Sequence, residues 1–116
     1  MRRKRLIAGD LLSAKGKCQF TENLVEAAAC DEAGGNMPVC GAGEAASIRA
    51  AAPNAFLTVA VGINNPEVAS GLEAIRASFA AMRNGADGIY TGMSIGVVAE
   101  MARESIPVIG HVGYIP

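Results

Sequence analysis

Short apolar runs alternate with longer alanine-rich stretches along most of the chain, and this alternation predicts β/α units. The clearest strand spans 55–63, where Thr58 is the only polar side chain. A run of this kind is typical of a strand that is covered on both faces. Four weaker runs predict further strands, at 19–25, 37–40, 87–92 and 106–111.

The stretches between these runs predict helices. Leu72, Ile75, Phe79 and Met82 recur at helical spacing and predict the buried face of a helix that runs from about Pro66 to Asn84, with Asn65 as its cap. The other predicted helices cover 3–15, 26–32 and 44–51, with Gly34 and Gly35 closing the second, and a last one is capped by Ser94, with Val97, Val98 and Met101 facing inward. Strands that alternate with helices predict an α/β fold with a parallel sheet in one domain, 1–116.

Composition and charge narrow the function classes. Hydrophobic residues make up 51% of the chain, but much of that is alanine, so we expect a thin core. A net charge of −1 offers no electrostatic attraction to nucleic acid. The basic start, residues 2–5, lacks the long apolar run of a secretory signal, and no stretch is apolar enough to span a membrane. We therefore expect a cytoplasmic chain with no nucleic-acid or membrane partner.

The three cysteines predict reduced thiols. Cys18, Cys30 and Cys40 match no zinc-binding spacing, and their odd number leaves one outside any set of disulfides. Cys40 lies at a predicted strand end, so it is also a candidate reactive thiol.

Five segments support a resemblance to a known family. They are LLSAKGK (11–17), DEAG (31–34), APNAF (52–56), GAD (85–87) and IPVIGHVGYIP (106–116). In this order and at nearly the family's distances, they resemble the ketopantoate hydroxymethyltransferases, also called 3-methyl-2-oxobutanoate hydroxymethyltransferases. The ending GHVGYIP is the most specific part of the match.

The resemblance implies a TIM-type β/α barrel of the phosphoenolpyruvate/pyruvate superfamily, of which this chain would supply about five of eight strands. It implies a transferase of pantothenate biosynthesis that moves a hydroxymethyl group from methylenetetrahydrofolate to a small 2-oxo acid held by magnesium. The family's general base would lie beyond Pro116. Unpaired strands at the edges of a partial barrel predict a homo-oligomer. A doubly wound sheet is the alternative fold.

The chain departs from the family at the metal site. The three carboxylate positions fall on Ala42, near Ala60 or Val61, and near Gly92. Magnesium prefers oxygen ligands, usually including carboxylates, so we expect that the metal site is lost or rebuilt. Two alternatives therefore stay open: another C–C lyase or transferase of the superfamily that acts on a 2-oxo acid, and a non-catalytic carboxylate-binding paralogue.

His111, Tyr90 and Ser94 are the candidate substrate-binding residues, and no catalytic residue is assigned. His111 is the only histidine, and it follows a predicted strand, where α/β proteins place their active sites. The hydroxyl of Tyr90 could donate to a 2-oxo acid. Ser94 could join an anion site at a helix start, or simply cap that helix.

Other polar residues near predicted strand ends have less specific roles. Glu22 and Glu44 are candidate replacement ligands or bases. Asn64 and Asn65 could line a pocket, but helix capping also explains them. Asp87 begins a strand at the opposite edge and is expected to serve structure.

Overall fold

The described residues of the computed structural model, 18–20, 24–33, 37–63 and 68–113, form alternating strands and helices. The strands are β1 (Cys18–Phe20), β2 (Met37–Gly41), β3 (Thr58–Ala60), β4 (Gly88–Thr91) and β5 (Val108–Gly110). The helices are α1 (Leu24–Glu32), α2 (Ala45–Ala51), α3 (Gly71–Arg83) and α4 (Ile95–Arg103), and a 3₁₀ turn, Ala42–Glu44, leads into α2. None of the described helices is both long and apolar enough to cross a membrane.

The strands form one parallel sheet in the order in which they occur along the chain. Right-handed crossovers between sequential parallel strands place every connecting helix on the same face. A doubly wound sheet would instead reverse its strand order at a switch point. The sequential order is that of a β/α barrel, so it supports the barrel prediction over the doubly wound alternative.

The two faces of the sheet carry different residues. Cys40, Val59 and Ile89 pair in register and belong to the apolar core that includes Ile48 of α2 and Met101 of α4. Because side chains alternate along a strand, the next residue of each strand lies on the opposite face. That neighbouring set, which we call the inner row, consists of Gly41, Ala60, Tyr90 and Ile109.

The predicted start of α3 is wrong by about five residues. The helix begins at Gly71, and the hydroxyl of Ser70 caps it by accepting from the main-chain N–H of Glu73 at 3.3 Å. The Glu73 carboxylate accepts in turn from the N–H of Ala69 at 2.6 Å, a variant of the capping box. Asn65 and Pro66 lie outside the described residues.

The predicted buried face of α3 is confirmed only in part, since Ile75 and Met82 are partly buried against the core. Its fully buried residues are Ala74, Ser78 and Ala81, whereas Leu72 is 59% and Phe79 is 38% exposed. Ala74 and Ala81 belong to the apolar core, and the Ser78 hydroxyl is satisfied by the carbonyl of Ala74 at 2.7 Å. Helical spacing of large apolar residues therefore identified Ile75 and Met82 as core contacts but missed the small residues that are fully buried.

Two predicted strands are shorter than expected. The first ends at Phe20, and the following Leu24 and Val25 open α1, so the prediction of a strand over 19–25 extended into a helix. The regular part of the third is only Thr58–Ala60. The other strand and helix bounds among the described residues agree with prediction to within two positions, and Ser94 caps α4 as expected. The predicted helix over 3–15 and the Gly34–Gly35 turn lie outside the described residues.

Arg49 of α2 joins two loops at the edge where the strands begin. Its Nε donates to the carbonyl of Gly85 at 2.9 Å, and its Nη1 donates to that of Ala55 at 2.8 Å. Its Nη2 forms a salt bridge with Asp87, whose carboxylate also accepts from the N–H of Leu57 at 3.0 Å. The prediction that Asp87 serves structure is confirmed.

Thr58 offers a test of how the sheet is packed. Its side chain is buried, and its hydroxyl has no hydrogen-bond partner among the described residues. Thr58→Val keeps the shape and removes the unsatisfied group, so we expect the free energy of unfolding to rise by about 1 kcal/mol in urea titrations. Thr91→Val is the matched control, because the buried Thr91 hydroxyl accepts from the N–H of Met93 at 3.2 Å. That variant should lose stability, and equal losses in both would contradict the assignment.

Candidate functional site

Tyr90 and His111 meet at the edge where β4 and β5 end. The main-chain N–H of His111 donates to the carbonyl of Thr91 at 2.8 Å, which extends the ladder one residue beyond β5. The Tyr90 hydroxyl is hydrogen-bonded to His111 Nδ1 at 2.5 Å, and the two rings meet edge to face with centroids 5.9 Å apart. Two residues that the sequence singled out separately therefore form one polar pair.

A carboxylate lies at the other end of the inner row. A methyl group on Gly41 would lie 2.7 Å from Glu44 Oε2, so this carboxylate stands over Gly41. Ala60 separates Gly41 from Tyr90 in the register of the sheet. With strands about 4.8 Å apart, Gly41 and Tyr90 are roughly 10 Å apart. We call this arrangement the Ala60 site: a small apolar floor with Glu44 on one side and the Tyr90–His111 pair on the other.

Ser94 has a structural role in the geometry. Its hydroxyl accepts from the N–H of Val97 at 3.3 Å, which is the ordinary contact of a helix cap. The hydrogen bond of Ser94 that the structure shows is to α4 and not to Tyr90 or His111. A role for Ser94 in substrate binding stays a prediction.

The positions that correspond to the family's metal ligands do lie at strand ends. Ala42 follows β2, Ala60 ends β3 and Gly92 follows β4, but none of them has an oxygen-bearing side chain. Within the described ranges, no group of three or more His, Cys, Asp and Glu residues could hold a metal ion. The described residues therefore do not fit the magnesium site that the resemblance implies. Glu44 is two residues from Ala42, and Glu22 lies outside the described residues.

The environment of Cys40 argues against the reactive thiol considered from the sequence. The side chain is 3% exposed beneath the helices, and burial, with a smaller contribution from nearby Glu44, raises the pKa of the thiol to about 11. Burial, with a smaller contribution from Asp31, also raises the pKa of the Cys30 thiol, but Cys30 is partly accessible. The thiolate is the reactive form, so Cys40 is poorly suited to chemistry near neutral pH.

A labelling experiment tests this difference between the thiols. In a Cys18→Ser background at about pH 8, near the usual thiol pKa, iodoacetamide should modify Cys30 at least about tenfold faster than Cys40. Both should react at similar rates in urea, where burial is removed. Equal rates in the folded chain, followed by peptide mass mapping, would contradict the buried position of Cys40.

The fold and the strand-end site define a class: a parallel β/α chain with a polar site where its strands end. No model of a known protein family matches the sequence, and no curated protein matches it. Among solved structures, the chain is similar to a protein assigned as a deoxyribose-phosphate aldolase from Coccidioides immitis, with a TM-score of 0.55 and 15% identity. The match covers 78% of this chain and 39% of that one.

This similarity shows the fold alone. A parallel α/β arrangement compatible with part of a TIM-type barrel is supported, while membership of the phosphoenolpyruvate/pyruvate superfamily stays a prediction. The neighbour does not bear on the resemblance to ketopantoate hydroxymethyltransferase.

Proposed function

We propose that the Ala60 site binds a small 2-oxo acid and promotes C–C bond chemistry at C3, the carbon next to its keto group. The observation that carries the proposal is the Tyr90–His111 pair at the carboxyl ends of β4 and β5. In β/α barrels, active sites are built at this edge. The resemblance supplies the finer proposal, which is hydroxymethyl transfer from methylenetetrahydrofolate to 3-methyl-2-oxobutanoate.

The proposed roles follow from the chemistry of the side chains. A ring N–H of His111 donates to the carboxylate or keto oxygen of the substrate. Donors placed at a keto oxygen stabilise the negative charge that develops there when C3 loses a proton. Glu44, across the Ala60 floor, accepts that proton as a general base. Water hydrolyses methylenetetrahydrofolate to tetrahydrofolate and formaldehyde, and the enolate then forms the C–C bond by adding to the formaldehyde carbonyl, whose oxygen takes up a proton to become the hydroxyl of the transferred group.

The distribution of lysines favours acid–base chemistry over a covalent route. A lysine amine can form a Schiff base with a carbonyl substrate. All three lysines, Lys4, Lys15 and Lys17, precede β1 in the chain, so β2 to β5 carry no amine. The proposed mechanism at this edge therefore uses hydrogen-bond donors and a carboxylate.

A second candidate is cleavage of a C–C bond in a 2-oxo acid. The fold similarity to a protein assigned as an aldolase is the observation that favours a lyase. The same groups would act in the reverse sense, with His111 stabilising the enolate that is left after cleavage. A non-catalytic carboxylate-binding chain would keep His111 and need no base.

The first test is isothermal titration of the chain with 3-methyl-2-oxobutanoate, in the absence and presence of magnesium. We expect binding in both conditions, because the described residues do not fit a magnesium site. Binding of the keto acid only in the presence of magnesium would point to metal ligands outside the described residues. Failure to bind in either condition would overturn the proposal.

Exchange of the substrate's C3 proton for deuterium separates catalysis from binding. In deuterated buffer, the proposed base predicts loss of the C3 proton signal in the wild type and at least about tenfold slower loss in Glu44→Gln, since general bases contribute about 10²–10⁴-fold. Glu104→Gln is a matched control, because Glu104 is an exposed carboxylate just after α4. Binding without exchange would favour the carboxylate-binding paralogue.

The prediction of a homo-oligomer also stays a proposal. Ile109 is 44% and Val112 is 85% exposed, and no other described strand pairs with the outer edge of β5. Exposed apolar edge strands pair readily with other chains. Light scattering that shows a monomer at all concentrations would remove this support. The cytoplasmic location stays a prediction.

A further inference from the structure

We infer that Tyr90 is a positioning residue that holds His111 in the tautomer with its proton on Nε2. The inference rests on the hydrogen bond between the Tyr90 hydroxyl and His111 Nδ1. It deepens the proposed function, since it states which ring atom of His111 would meet the 2-oxo acid.

The direction of this hydrogen bond follows from the two groups. A neutral imidazole has one N–H donor and one acceptor nitrogen, while a phenol can donate or accept. The unprotonated ring nitrogen is a stronger acceptor than a phenol oxygen, whose lone pair is delocalised into its ring. The favoured arrangement has the Tyr90 hydroxyl donating to Nδ1, and the ring proton then resides on Nε2.

The tautomer determines what His111 can recognise. With Nδ1 occupied as an acceptor, the remaining ring nitrogen is an N–H donor, which suits a carboxylate or keto oxygen. The same tautomer does not suit a metal ion or an acidic proton, because Nε2 has no lone pair available. The Ala60 site is therefore assigned to anionic oxygen ligands, with Glu44 rather than His111 as its base.

The geometry of the sheet keeps the pair in place. Tyr90 lies in β4, where its carbonyl accepts from the N–H of Val61 at 2.8 Å, and the N–H of His111 is held by Thr91. Neither backbone can shift without breaking the ladder between neighbouring strands. The ladder therefore fixes the main-chain positions from which the Tyr90 and His111 side chains meet.

Nitrogen NMR tests the tautomer without any ligand. His111 is the only histidine, so a long-range ¹H–¹⁵N spectrum of the labelled chain at about pH 8, above the usual histidine pKa, has a single imidazole pattern. We expect Nε2 to resonate as the protonated nitrogen and Nδ1 as an unprotonated nitrogen that accepts a hydrogen bond. In Tyr90→Phe, the Nδ1 signal should move to higher frequency as that bond is lost. Ser47→Ala, which removes an exposed hydroxyl bonded to the carbonyl of Glu44 on another element, should leave it unchanged.

Two substitutions of His111 test the donor position. A glutamine amide places an N–H near the position of Nε2, whereas an asparagine amide places it near Nδ1. In titrations with 3-methyl-2-oxobutanoate, His111→Gln should bind at least about threefold tighter than His111→Asn. Tyr90→Phe should weaken binding about three- to tenfold, as expected for one hydrogen bond.

The outcomes separate this inference from the proposed function. A proton on Nδ1 in the wild type, or an Nδ1 signal unaffected by Tyr90→Phe, overturns the inference whatever the chain binds. Tighter binding by His111→Asn than by His111→Gln also overturns it. The expected spectra with no binding of the keto acid would support the positioning role and remove the proposed substrate.

Discussion

Replacing Arg49 with methionine is expected to lower the free energy of unfolding by about 2–4 kcal/mol. The Arg49 and Asp87 side chains are only 15% and 17% exposed. The substitution leaves the Asp87 carboxylate without its cation and removes the donors to Gly85 and Ala55. Breaking a buried pair by removing one partner costs about 3–5 kcal/mol, and the partial exposure of this pair lowers that figure. Urea unfolding, followed by circular dichroism, measures the change.

Arg83→Met is the matched control for this prediction. Arg83 is exposed in the last turn of α3, so its loss should change stability by no more than about 0.5 kcal/mol. A double-mutant cycle with Asp87→Asn isolates the pair, since that change keeps an acceptor for the N–H of Leu57. Equal effects of the Arg49 and Arg83 substitutions would show that Arg49 does not join the two loops in solution.

Replacing His111 with alanine should abolish most of the affinity for 3-methyl-2-oxobutanoate. A hydrogen bond to a charged group contributes about 1.5–3 kcal/mol, which corresponds to a loss of roughly ten- to 150-fold in the dissociation constant. The imidazole is also the hydrogen-bond partner of the Tyr90 hydroxyl and contacts the Tyr90 ring edge to face, so its loss removes both contacts. Isothermal titration measures the affinity.

Val112→Ala is the control, because Val112 is the next residue and is 85% exposed. It should bind within about twofold of the wild type, since a surface substitution typically changes free energies by no more than about 0.5 kcal/mol. If both variants bind like the wild type, the ligand does not contact His111, and the site must be sought elsewhere.

Much of the fold was predictable because the local signals are strong. The apolar run at β3 and the strand–helix alternation predict a parallel sheet, and Ser94 before an apolar helix predicts a cap. The errors occur where the same residues fit two different local patterns. Leu24 and Val25 fit a strand pattern, yet they open α1. In α3, the large side chains follow helical spacing and are at most partly buried, whereas Ala74 and Ala81 are fully buried in the core.

The candidate site was predictable only one residue at a time. A histidine after a strand and a tyrosine within one are visible in the sequence, and parallel topology places strand ends at a common edge. Their contact depends on β4 and β5 being neighbours in a given register. Glu44 was a candidate ligand or base only because it lies near a predicted strand end. Its position over Gly41 depends on the 3₁₀ turn that follows β2.

Three properties could be read from the chain before it is folded: the order of the β/α elements, the large share of small residues in the core, and the lack of carboxylates at the three positions that the resemblance assigns to a metal site. These properties depend on local spacing and on residue identity, which need no tertiary information. Three other features emerge only in the folded chain: the small residues of α3 that are fully buried, the link that Arg49 makes between two loops, and the contact between Tyr90 and His111. Each of these depends on strand register and on the distance between packed layers, because residues far apart in the chain become neighbours only when the sheet forms.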